Sequence, residues 1–155
     1  MARVVSLMGS LHPTPGVDDV IHEHDTLAAE ATVLDHASRL AKIGLTRDTA
    51  IAVEDAYRYL RERFLPHAHE DERRCARLAL RDHRHPEGSC GEPEVEVLVV
   101  RLDHLRTALS AGDSSEAVGE LLRTLLRELT PPVHAHFSDV PERARGSGGA
   151  ASAGG

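Results

Sequence analysis

Imidazoles and carboxylates set at helical spacing carry the chemistry open to this chain. Eleven of its 155 residues are histidine. His67 and Asp71 stand four apart, so on a helix they rise from one face and can meet a single centre together. His24 shares a line with Val17, Val20, Ala28 and Ala31, and His136 continues the line of Leu122, Leu125 and Leu129. Buried without partners, such groups would each cost roughly several kcal/mol, and a divalent or trivalent cation is an efficient partner. Imidazole mixed with carboxylate is a ligand set for iron, manganese or zinc. The inward set read this way is His24, His67, Asp71, Glu94 and His136, with Asp139 close by. Glu72, His134, Glu142 and His104 form an outer group of alternatives.

The elements that must position these residues are helices. Leu, Ala, Val, Arg and Glu dominate the chain, aromatics are 3% and tryptophan is absent, which favours helix over β-sandwich. Residues 1–16, ending in Pro13-Thr14-Pro15-Gly16, read as an irregular leader. Asp18 or Asp19 caps a first helix running to about Ile43, where Gly44 stops it. Thr46 or Asp48 starts a second, to about Leu80. Residues 82–91 form a loop rich in Pro and Gly. Pro93 suits the first turn of a third helix that ends near Ala111-Gly112, and Ser114 or Ser115 caps a fourth. The Gly/Ser/Ala tail, 143–155, reads as disordered. Apolar residues recur at three-and-four spacing in each helix, among them Ile21, Leu27 and Leu34; Val53, Tyr57, Leu60 and Phe64; Val95, Leu98, Leu102 and Leu105; Val118, Leu121, Leu122 and Leu129. The expected fold is all-α, an antiparallel up-down-up-down four-helix bundle over residues 17–142.

Orientation and depth select among the polar residues. His22, His36 and His69 point away from their stripes. On the third helix His104 lies about 140° from the centre of the apolar stripe, whereas Glu94 lies about 60° from it. In an antiparallel bundle His24, His67, Glu94 and His136 all reach the same end, and His104 falls about 15 Å short of it. Structural readings stand beside the metal one: His24 and His67 as satisfied core histidines, Glu94 as a first-turn acid, Asp139 as a solvated carboxylate. Tyr57 reads as core, and Phe64 and Phe137 as shields against water. His83, His85 and Cys90, with Cys75 upstream, match no standard zinc spacing.

These residues resemble a known family. Phe64-Leu65-Pro66-His67-Ala68-His69-Glu70-Asp71-Glu72 is similar to the second-helix H-x-x-x-E motif of hemerythrin-like, HHE cation-binding proteins. Glu23-His24 resembles the first-helix E-H pair, Val95-Glu96-Val97 the segment after the third-helix histidine of bacterial members, and Ala135-His136-Phe137 the start of the second H-x-x-x-E. The resemblance, that of a divergent bacterial member, spans residues 18–142. It implies a non-haem iron centre, two irons in the family pattern, or a single metal, manganese or zinc. It implies His24, His67 and His136 as imidazole ligands and Asp71 as a bridging carboxylate, with oxygen, peroxide or nitric oxide as the small ligand. Turnover of oxygen or peroxide is one consequence; a metal-free or zinc-holding regulatory module is the alternative. The chain departs from the pattern at Glu94, where the family has histidine, at Asp71, where glutamate is usual, and at Val140, four after His136. Pro131-Pro132 can distort the fourth helix and bring Asp139, Glu142 or His134 inward instead.

Composition excludes other classes. A formal charge of −7, with Lys42 the only lysine, does not suit a nucleic-acid surface. No apolar run approaches the roughly 18 residues of a membrane span. Two cysteines imply no disulfide framework, and the expectation is a cytoplasmic protein.

Overall fold

A computed structural model describes residues 17–81 and 93–138 of the chain, and within these segments every element is helical. The leader 1–16, the loop 82–91 with His83, His85 and Cys90, and the tail 143–155 lie outside the described residues. So do Asp139 and Glu142.

Four helical runs make up the fold. The first consists of α1 (Val17–Glu30) and α2 (Thr32–Ile43), separated at Ala31. The sequence predicts one uninterrupted helix here. Leu34 N–H instead bonds to Ala31 O, three residues back, and the Thr32 hydroxyl donates to Ala29 O at 2.8 Å. Side-chain donors that compete for helix carbonyls locally loosen the ladder in this way. Gly44 closes the run, its N–H on Leu40 O.

The second run is α3 (Arg47–Tyr59), a π-helical turn (Leu60–Phe64) and α4 (Leu65–Arg81). Of the two predicted starts, Thr46 is the cap: its side chain accepts from Thr49 N–H, and the Thr49 side chain accepts from Thr46 N–H. The π turn was not foreseen. Pro66 follows one residue after it, and a proline ring inside a helix clashes with the carbonyl four residues earlier, here Glu62. A widened turn is one way to absorb that clash.

The third run, α5 (Pro93–Ser110), ends in a Schellman motif. Gly112 takes the left-handed conformation at φ +85°, its N–H on Leu109 O, while Asp113 N–H reaches Ala108 O. The fourth, α6 (Glu116–Ser138), is capped by Ser115 and runs through Pro131 and Pro132 without ending.

Packing joins α2 to α3 and α6, α5 to α3 and α6, and α1 to α2 and α6. The shared core holds Leu34, Val53, Leu60, Leu102, Leu122, Leu126 and Leu129, all fully buried. Three predicted core positions are corrected. Leu121 is 59% exposed and Ile21 40%, while Leu126 and Val133 take the inner face of α6. The third is the relative depth of two tyrosines: Tyr59 is the buried one, its hydroxyl donating to Leu27 O at 2.9 Å, while Tyr57 packs against the core from its margin. Tyr57 is half-buried beneath the Arg106 guanidinium, 4.7 Å above its ring. Among the described residues no helix is long and apolar enough to cross a membrane.

Candidate metal centre

The site is assembled from three helical runs. His67 opens the first turns of α4 just after Pro66, and Asp71 stands one helical turn further along the same face. α1 contributes His24 and α6 contributes His136. Four donor atoms meet. His24 Nε2 lies 2.8 Å from His67 Nε2 and 3.0 Å from Asp71 Oδ2. Asp71 Oδ2 is 3.2 Å from His67 Nε2 and 3.5 Å from His136 Nε2. All four residues offer a ligand atom within 4.8 Å of the others.

These separations are compatible with a coordination shell. Donors bound at about 2.0–2.1 Å are ~3.3 Å apart around a tetrahedral ion and ~2.9 Å apart at neighbouring octahedral positions. The four closest pairs, at 2.8 to 3.5 Å, span that range, and the whole set lies within 4.8 Å. The donor set is equally suitable, three imidazoles and one carboxylate oxygen. His24, His67, Asp71 and His136 can therefore hold a metal ion.

Burial makes the arrangement costly without a charge to organise it. His24 and His67 are 4% and 6% exposed. Burial works to raise the Asp71 carboxyl, but hydrogen bonds from His136, His24 and His67 outweigh it and hold the group far below the usual carboxylate range. Asp71 thus stays anionic, as a metal ligand must. Its second oxygen, Oδ1, accepts from Arg74 Nη1 at 3.3 Å.

Outer contacts fix the rings. Glu23 Oε1 lies 3.4 Å from His67 Nδ1. A carboxylate on that side favours a proton on Nδ1, the tautomer that leaves Nε2 as a donor to a metal. Phe137 packs against all three imidazoles, with ring centroids 5.7 Å from His24, 6.2 Å from His67 and 5.2 Å from His136. Phe64 lies 5.3 Å from His136 and is fully buried. These two rings wall one side of the site with apolar surface. Across its edge His69 pairs with Glu96 at 2.6 Å, tying α4 to α5.

The remaining predicted residues lie elsewhere. Glu94 is exposed and is not one of the converging four, which corrects its expected inward position. The reason is the phase of α5: Val95 and Val99 face the core, and Glu94 is turned to an open groove with Leu98, Arg101 and Pro131. Glu72 and His104 are exposed. His134 pairs with Asp35 at 3.2 Å, away from the cluster, so His136 is the inward residue of the two. Asp139 and Glu142 lie outside the described residues. Sequence reasoning did not assign Glu23 or Arg74. A carboxylate next to His24 and a guanidinium three residues after Asp71 were the available signals.

Comparisons with protein-family models, curated proteins and solved structures find no match to this chain.

Proposed function

We propose that this protein is a cytoplasmic, divergent member of the hemerythrin-like group, an up-down-up-down four-helix bundle that holds non-haem iron and binds or reacts with oxygen, peroxide or nitric oxide. The observation that supports this reading is the meeting of three histidine nitrogens and one aspartate oxygen, from three helical runs, at coordination distances. The resemblance of the motifs around His24, His67 and His136 is what suggests the family.

Iron would supply an electron reservoir and an electrophilic centre for small oxidants. The chain's own residues do the rest. His24, His67 and His136 would hold the centre through Nε2, Asp71 would supply its negative charge, and Glu23 stands beside the outer nitrogen of His67. Phe64 and Phe137 exclude water from the inner side. Because imidazoles must be unprotonated at Nε2 to bind, loading releases protons.

A zinc-holding regulatory module is the second reading, since zinc takes four nitrogen and oxygen ligands at the same separations. Metal analysis of the purified protein distinguishes the two. Iron with near-ultraviolet charge-transfer absorption supports the proposal; zinc alone, or no metal in protein reconstituted with ferrous iron, rejects it. Peroxide consumption by iron-loaded wild type and His67→Ala then tests turnover, and equal rates would remove it from this centre. Glu94→Gln serves as a control, expected to retain wild-type metal content.

A further inference from the structure

The cluster is arranged for one ion. We infer that the centre is mononuclear, one metal per chain held by His24, His67, Asp71 and His136; the inference rests on the metal-binding reading above. Two observations carry it. A two-metal site places its ions about 3.5–4 Å apart and needs a separate set of ligands for each. Among the described residues a single group of donors converges, its atoms within 4.8 Å of one another and all three imidazoles gathered on the one oxygen Oδ2 of Asp71.

The second observation concerns the bridge. A carboxylate that joins two ions offers one oxygen to each. Asp71 directs Oδ2 alone at the imidazoles, and its Oδ1 accepts from the Arg74 guanidinium at 3.3 Å. A cationic partner on that oxygen opposes a second cation beside it.

Titration of the metal-stripped full chain with cobalt(II), followed by visible absorption and by native mass spectrometry, tests the inference. The same experiment with ferrous iron under anaerobic conditions extends it to iron. One equivalent per chain is expected, with a break in the titration at that ratio. Its loss is expected in a His24→Ala/His67→Ala variant whose far-ultraviolet circular dichroism matches wild type. Asp71→Asn, which preserves side-chain shape, provides a second variant should the double replacement unfold. Two equivalents per chain would overturn the inference and leave the metal-protein reading standing. No binding at all would sink both. A single equivalent retained in both variants would put the ion at another site and overturn the inference as well.

Discussion

Asp71→Asn changes the charge of the centre and almost none of its volume. Oδ2 of Asp71 is the atom common to all three imidazoles, at 3.0, 3.2 and 3.5 Å. Loss of an outer hydrogen-bond partner of a metal ligand weakens binding by about 10- to 100-fold, and loss of an anionic ligand itself should reach at least the upper figure. A factor of about 100 corresponds to ~2.7 kcal/mol. Metal supplied at about a hundred times Kd stabilises the wild-type fold by ~2.7 kcal/mol. At the same free concentration the variant sits near its own Kd, and the stabilisation falls to ~0.4 kcal/mol. For a chain of this size the metal-dependent rise in Tm should therefore shrink from roughly 5–11 °C to about 1 °C. The assay is thermal unfolding followed by circular dichroism at buffered free metal, with chelator controls for both proteins. Equal metal-dependent shifts would refute the reasoning, because Asp71 would then not be a ligand.

Two further outcomes concern pH. In chelated protein the three imidazoles hold the Asp71 carboxyl below its unfolded value, so as pH falls the unfolded chain takes up that proton first. The stability it contributes is present above about pH 4 and drains away below it; urea unfolding across the acid range should show a shallower loss in Asp71→Asn than in wild type. Burial, followed by the nearby Glu30 carboxylate, pushes the Tyr59 hydroxyl well above its ordinary value. The unfolded chain then loses this proton first, so stability should fall as pH rises beyond about 10. Tyr59→Phe should remove that component and cost about 0.5–1.5 kcal/mol at neutral pH, from the lost bond to Leu27 O. An unchanged alkaline profile would contradict the assignment.

The helical class and the four site residues were legible in the chain because each depends on local periodicity. His67 and Asp71 are one turn apart, and His24 and His136 lie in register with strongly apolar neighbours, so a helix of any environment presents them together. Caps at Thr46 and Ser115 and the stop at Gly112 are likewise short-range chemistry. Glu94 shows where such reasoning ends. Val95, Val97, Leu98, Val99 and Val100 surround their helix with apolar side chains, so the sequence contains no unique buried face. Contact with α3 and α6 chose one, burying Val95 and Val99 while leaving Val97 and Val100 exposed. Tyr57 and Tyr59, or Leu121 and Leu126, pose the same choice, made by the neighbours. The interruption at Ala31 and the π turn before Pro66 arise from competing hydrogen bonds and ring sterics that an ideal repeat does not contain. Glu23 acquires its place beside His67 only when α1 meets α4, whereas the Arg74 contact with Asp71 is local to α4. The sequence by itself determined which residues could share a helical face. Only the tertiary structure decided which of those faces met, because the burial of one helix is a property of the surfaces packed against it.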